Sequence, residues 1–170
     1  MNFYFDGNLY SSIFSKNAIK NPTLASKWLA TWRDMHGEIH HDILHQAETN
    51  NQAEYGAMLQ ILRHIRSNIE TIFYDNKWLR EAIIYGDSQL IIYQMTGKYK
   101  VKEADLKPLW AEGVNLVHIL KEEYDTTVKF RWIKREVNNM ALGIGAGKIK
   151  TSYPGLEESH AETTTEQTSS

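Results

Sequence analysis

The chain has 170 residues, 42% of them hydrophobic, with no cysteine and a formal net charge of -2. That length suffices for one proper core and is short for two domains, and the lack of thiols excludes disulfides and thiolate metal sites. Carboxylate, imidazole and backbone oxygen remain as ligands, which favours hard cations such as Mg²⁺ or Mn²⁺, while so small a net charge creates no overall field to attract a polyanion.

The apolar run Phe3-Tyr4-Phe5 reads as the first strand, with Asp6-Gly7-Asn8 leaving it. Tyr10 to Pro22 is polar enough for a long hairpin loop. A second strand follows over 26–33, a turn at Asp34-Met35-His36-Gly37, and a third strand over 38–46. From Asn51 the period becomes helical, with Ala53, Ala57, Ile61, Ile65 and Ile69 on one face. Ala82 to Tyr85 is a fourth strand, Ser88 to Met95 a short helix, Asp105 to Tyr124 a longer one, and Thr127 to Ile133 a fifth strand. Strands, then helix, strand, helices and strand imply an α/β domain with a mixed sheet and helices packed on it. Met140 to Gly147 has helical apolar content, but its three glycines each cost about 1 kcal/mol relative to alanine, so a helix there should be weak. Beyond Lys150 there is no Lys or Arg, and Glu157, Glu158, Glu162 and Glu166 make 151–170 an acidic, Ser/Thr-rich tail expected to be disordered. No apolar run is long enough to span a bilayer, and the first residues lack the basic flank and apolar region of a signal peptide, so the expected setting is cytoplasmic, away from membranes.

Three acids recur in comparable settings. Asp6 closes the first strand, Asp87 closes the fourth, and Glu54 lies at the edge of the buried face of the first long helix, where its carboxylate should point toward the sheet. Carboxylates at the carboxyl ends of strands occupy the place where open α/β sheets put their chemistry, and three from separate elements can converge on a divalent cation. Each has an ordinary explanation too: Asp6-Gly7 is a common turn dipeptide, Asn51-x-x-Glu54 resembles a capping box, and Asp87 or Ser88 could cap the following helix. Lys98, Lys100 and Lys102 flank Tyr99 in a loop that is either merely solvated or a phosphate-contacting surface. His36, His40, His41 and His45 lie in a turn and strand without a helical H-E-x-x-H pattern, and read as exposed strand histidines rather than a zinc site. Trp28, Trp32, Trp110 and Trp132 read as packing residues.

Taken together, Tyr4-Phe5-Asp6-Gly7, Thr49-Asn50-Asn51-Gln52-Ala53-Glu54 and Tyr85-Gly86-Asp87-Ser88-Gln89-Leu90, continuing through Gly97-Lys98-Tyr99-Lys100-Val101-Lys102 to Leu106-Lys107-Pro108-Leu109, resemble ribonuclease H of the type 1 class, closest to its cellular and archaeal-like members. The resemblance covers roughly residues 3 to 149 and implies a ribonuclease H-like fold over 1–150, with a five-stranded mixed sheet. It implies further that Asp6, Glu54 and Asp87 are catalytic metal ligands, that two Mg²⁺ ions, replaceable by Mn²⁺, sit about 3.5–4 Å apart, and that the RNA strand of an RNA–DNA hybrid is cut to 5′-phosphate and 3′-hydroxyl ends. Asn50, Asn51 and Gln89 match family positions that contact the hybrid's minor groove, where the 2′-hydroxyl is exposed, and Thr49 matches one that helps hold a phosphate. A monomer is expected.

The chain departs from the family at its fourth acid. The pattern R-E-x-N-x-x-A-D is met by Arg135-Glu136-Val137-Asn138-Asn139-Met140-Ala141-Leu142, and no Asp or Glu occurs from Val137 to Leu156. Glu136, Asn138 and Asn139 are the candidate substitutes, and a neutral amide attracts a dication less than a carboxylate does. The departure implies attenuated, more Mn²⁺-dependent cleavage, or else a hybrid-binding domain with little or no catalysis.

Overall fold

The computed structural model describes residues 1–14, 22–74 and 80–145. Its elements are β1 (Asn2–Leu9), α1 (Tyr10–Ile13), a 3₁₀ segment (Pro22–Ser26), β2 (Trp28–Arg33), β3 (Ile39–Leu44), α2 (Asn50–Ser67), α3 (Ile69–Ile72), β4 (Glu81–Gly86), α4 (Gln89–Met95), α5 (Lys107–Tyr124), β5 (Thr127–Trp132) and α6 (Arg135–Ala141). The five strands form one sheet in the order β3-β2-β1-β4-β5. β1, β2 and β3 run antiparallel in sequence, while β1–β4 and β4–β5 are parallel. The mixed α/β sheet expected from the sequence is therefore present.

Alternation in β1 buries Phe3 and Phe5 against the apolar faces of α2, α4 and α5, building one large core with Ala57, Ile61, Ile65, Ile84, Leu116 and Leu120. A smaller cluster of Tyr10, Ile13, Phe14, Leu24 and Leu29, with Ile43 and Ile144 against it, lies beside the β1–β2 connection. Tyr10 to Pro22 does join antiparallel strands, as expected, but with a helical turn and buried aromatics where a polar loop was expected; residues 15–21 lie outside the described residues.

Several boundaries differ from expectation for identifiable reasons. β1 does not stop at Phe5: pairing with β2 continues from Asp6↔Thr31 to Leu9↔Trp28, so Asp6-Gly7 is strand and not turn. α2 is capped by Thr49, whose hydroxyl accepts from the Gln52 amide at 3.2 Å while the Gln52 side chain accepts from the Glu48 amide at 2.7 Å; this capping work does not involve Glu54. The helix ends at Ser67, and Ile69 begins a separate turn after Asn68, whose side chain donates to the His64 carbonyl. Ser88, not Asp87, caps α4, accepting from the Ile91 amide at 3.3 Å. Among the described residues the last helix is α6, which begins earlier than the Met140–Gly147 stretch and is followed by Gly143 with φ of 68°, a left-handed conformation that favours glycine; residues 146–147 of that stretch lie outside the described residues. The acidic tail lies outside the described residues, and among those described no helix is long and apolar enough to cross a membrane.

Candidate active site

Asp6 and Asp87 meet because of how the parallel ladder ends. The β1–β4 pairing runs from Asn2↔Ile83 to Phe5↔Gly86. Asp6, still within β1, and Asp87, just past β4, are the next residues along the two chains, so their carboxylates leave adjacent backbones where the parallel ladder ends. Gly7 brings in the third acid. A Cβ on Gly7 would lie 2.3 Å from the Ala53 carbonyl carbon and 2.3 Å from the Glu54 nitrogen, so only glycine lets α2 cross β1 this closely. The Gly7 amide donates to Glu54 Oε2 at 3.2 Å, which aims the Glu54 carboxylate at the sheet.

One oxygen from each of Asp6, Glu54 and Asp87 lies within 4.8 Å of the other two. Asp6 and Glu54 are 6% and 5% exposed, and the Asp87 side chain 4%. Burial, then the negative charge of Asp87, pushes the Asp6 carboxyl up to about 6, against weaker opposing hydrogen bonds from Glu54 and Asn8. Burial and both aspartates raise Glu54 well above the ordinary carboxylate range. The cation drawn to them is Arg135, at the start of α6, whose Nε donates to Asp87 Oδ2 at 3.1 Å and whose pKa that contact raises. Its side chain is 78% exposed, so solvent screens it. Among the described residues, three converging buried carboxylates against one exposed guanidinium form a site short of positive charge, and oxygen-only ligands of this kind suit Mg²⁺ or Mn²⁺.

A cavity of about 400 Å³ opens over the acids, lined by Asp6, Asn8, Ser12, Ile13, Asn50, Glu54, Arg135, Asn139 and Ile144. Asn8 donates from Nδ2 to Asp6 Oδ2. A larger groove of about 480 Å³ runs between β3, α2 and α5, past Ile43, Gly56 and Arg63, away from the three acids.

The residues expected from sequence distribute unevenly around this centre. Asn50 lines the cavity, Asn51 and Thr49 are exposed at the start of α2, and Gln89 is exposed in the first turn of α4, two residues after Asp87. Lys98, Lys100 and Lys102 are all exposed beyond α4, with Lys98 Nζ 4.7 Å from the Tyr93 ring centre and Tyr99 packed edge-on to that ring. Of the three candidate substitutes for the missing acid, Asn139 lines the cavity and Glu136 is exposed on α6 outside it. Asn138 is buried and donates to the Phe5 carbonyl at 2.9 Å, tying α6 to the strand that carries Asp6; its Oδ1 has no hydrogen-bond partner among the described residues. Leu142 is fully buried.

Sequence reasoning did not single out Arg135, Asn8 or Trp132 for this site. Trp132, expected to be a packing residue, is partly exposed, and its Nε1 donates to the Asp87 carbonyl at 3.0 Å. The last residue of β5 thus holds the Asp87 backbone, a contact 45 positions apart that no local pattern announces. Arg135 was legible only as the first letter of a motif, and Asn8 only as the next residue but one after Asp6.

The chain's matches to known proteins agree with this architecture. Residues 18–144 match the reverse transcriptase-like family. Among solved structures, the ribonuclease H1 of the halophilic archaeon Halobacterium salinarum is 21% identical, with 84% of this chain covering 92% of that one at a TM-score of 0.56. LC11 ribonuclease H1, isolated from compost by a metagenomic approach and solved in complex with an RNA/DNA hybrid, is 29% identical over 84% of this chain and 91% of that one, at 0.54. The N-terminal ribonuclease H domain of a Mycobacterium tuberculosis protein is 18% identical over 96% and 98%, at 0.53. With sheet order, acid placement and family match in agreement, this chain belongs to the reverse transcriptase-like family and has the ribonuclease H fold of the type 1 class.

Proposed function

We propose that the protein is a divalent-cation-dependent endonuclease that hydrolyses the RNA strand of RNA–DNA hybrids to 5′-phosphate and 3′-hydroxyl ends, at a rate attenuated by Leu142. The observation that carries this reading is the convergence of Asp6, Glu54 and Asp87 within 4.8 Å, buried and short of positive charge. That a 29% identical relative binds an RNA/DNA hybrid supports the substrate class.

Asp6, Glu54 and Asp87 would hold Mg²⁺ or Mn²⁺, which when bound supplies Lewis acidity at the scissile phosphate and lowers the pKa of the attacking water. The chain's own residues do the rest. Burial of the three carboxylates keeps bulk water from competing for their oxygens, and the Gly7 amide fixes Glu54. Arg135 orients Asp87 and partly neutralises it, so it competes with a cation for the same carboxylate while reducing repulsion among the acids. Asn50, Asn51 and Gln89 lie exposed at the starts of α2 and α4, and their carboxamides are suited to bonding a 2′-hydroxyl in the wide minor groove of a hybrid. Thr49 and the Lys98, Lys100 and Lys102 loop would meet phosphates, which position the duplex without reading its sequence.

A second reading, a hybrid-binding domain with little or no catalysis, is favoured by Leu142. Where the family pattern has its fourth acid this chain has a fully buried apolar side chain, leaving amides such as Asn139 as the neutral oxygen donors of that flank. Cleavage of a labelled hybrid in Mg²⁺ and in Mn²⁺ by the parent, Asp87→Asn and Leu142→Asp separates the two. Parent activity that is lost in Asp87→Asn supports the nuclease. A silent parent that binds hybrid and is awakened by Leu142→Asp supports the binding domain, and silence in all three without hybrid binding overturns both.

A further inference from the structure

A second group of potential ligands lies in and around the turn between β2 and β3. The register carries this turn past Tyr4↔Arg33 toward the start of β1, whereas Asp87 follows the other end of the parallel ladder. Asp34 is buried there and its two oxygens have divided tasks. Oδ1 accepts from the His36 amide at 2.9 Å and the Glu38 amide at 3.0 Å, while Oδ2 lies 2.9 Å from His40 Nε2. One oxygen is thus oriented by backbone and the other is aimed at an imidazole. One ligand atom from each of Asp34, Glu38 and His40 lies within 4.8 Å of the other two.

The imidazole is held in place from outside the turn. His40 stacks on Trp32 with ring centres 4.0 Å apart and planes at 15°, and the Trp32 Nε1 donates to Asp42 Oδ2 at 2.7 Å. His64, from α2, packs on the same indole at 5.0 Å and stands 6.1 Å from the His40 ring. Two imidazoles on one tetrahedral ion stand roughly 5 Å apart, centre to centre, when each metal–nitrogen bond is about 2.0 Å. The His64 ring centre therefore stands about 1 Å farther from that of His40 than two imidazoles sharing one ion would. Burial, and then the nearness of His40, lowers the His64 pKa and favours the neutral imidazole that metals bind.

We propose that Asp34, Glu38 and His40, with His64 beside them, form a second metal site, distinct from the three catalytic carboxylates, that takes a first-row transition dication such as Zn²⁺, Ni²⁺ or Co²⁺. A nitrogen donor among carboxylates selects these ions over Mg²⁺, which prefers oxygen and water. On binding, His40 coordinates through Nε2 and carries its proton on Nδ1, the ion taking the place of the proton between His40 and Asp34. The backbone amides on Asp34 Oδ1 are the outer partners that hold the carboxylate in position. An ion held there cross-links the hairpin, and through His64 joins it to α2.

The test titrates the full chain with Zn²⁺ alone as probe, in buffer holding Mg²⁺ at a few millimolar to occupy oxygen-only sites. Isothermal titration should show one Zn²⁺ per chain, weakened at least about tenfold by His40→Gln and by Glu38→Gln and unchanged in Asp87→Asn. Glu38 is exposed, so its variant reports on ligation without disturbing the part-buried Asp34–His40 contact. Co²⁺ in place of Zn²⁺ should give a visible absorption band that His40→Gln removes. Absence of Zn²⁺ binding, binding indifferent to both turn variants, or binding abolished by Asp87→Asn overturns the proposal.

Discussion

Asp6 and Asp34 are the same residue type at nearly the same burial, 6% and 5% exposed, yet their carboxyls are driven in opposite directions. At Asp6, burial and a neighbouring carboxylate raise the pKa to about 6. At Asp34, burial also works to raise it, but the hydrogen bonds from His40 and from the Glu38 and His36 amides outweigh that and lower it. Small exposed area does not by itself decide the protonation of a carboxylate; depth of burial, neighbouring charge and the donors that the fold supplies decide it together. The Asp34 environment satisfies its charge with neutral dipoles and one imidazole, so any ion there replaces a proton. The Asp6 environment crowds like charges together and leaves the deficit for a cation to fill, at a cost in stability that a purely structural site would not carry.

The largest test of this contrast is activity. Asp6→Asn should lower hybrid cleavage by at least about 1,000-fold, the loss of several kcal/mol of charge stabilisation, while Asp34→Asn stays within a few-fold of the parent in single-turnover assays. Equal losses in the two variants would remove the distinction. Next in size is Gly7→Ala, whose Cβ would collide with the α2 backbone at 2.3 Å; a destabilisation of about 3 kcal/mol in urea melts, with loss of cleavage, is expected. Asp34→Ala comes close behind. It strands the His36 and Glu38 amides and His40, and should cost about 2 kcal/mol in the same melts.

The pH dependence of stability sharpens the comparison further. Asp6 has a folded pKa above its unfolded value, so between about pH 4 and 6 the native state holds the extra proton and stability falls as pH rises. In chelator at pH 7, Asp6→Asn should therefore stabilise the protein by up to about 3 kcal/mol, with the gain shrinking below pH 6 and lost near pH 4. His41 has the opposite sign. Expected to be an exposed strand histidine, it is buried, its Nδ1 lies 3.0 Å from the Thr31 hydroxyl, and burial lowers its pKa to about 4. The unfolded state then binds the extra proton between about pH 4 and 6.5, so His41 contributes stability that is complete above pH 6.5 and lost as pH falls toward 4. In an acid melt series in chelator, His41→Asn should remove this loss from the profile, and a slope between about pH 4 and 6.5 unchanged from the parent would contradict the assignment. The smallest effect belongs to Arg135→Gln, which should tighten Mn²⁺ binding by a few-fold by freeing the Asp87 carboxylate of a competing, solvent-screened cation.

Much of this was legible along the chain. Element order and most element cores followed from period, since a strand or helix that buries one face must repeat its apolar residues at 2 or 3.6. The three acids were legible because each sits where a local pattern changes, at the end of an apolar run or the edge of a buried helical face. Boundaries were less legible where a neighbouring strand sets them: β1 reaches Leu9 because β2 supplies partners through Trp28, which nothing in Asp6-Gly7-Asn8 announces. His41 misread as exposed for the same reason, its cover being Phe14 of the β1–β2 connection and Thr31 of β2.

What the sequence determined by itself was the alternation and periodicity that select these elements, the positions of Asp6, Glu54 and Asp87 along them, and the absence of a fourth acid at Leu142. What only the tertiary structure decided were the pairings across long stretches of chain: Gly7 against Ala53, Asn138 on the Phe5 carbonyl, Arg135 on Asp87, and His64 beside His40 on the face of Trp32. Local periodicity is a property of backbone geometry and is written into neighbouring residues. Charge balance and ligand sets depend on distances between elements, and those distances come into being only when the sheet closes its register and the helices pack upon it.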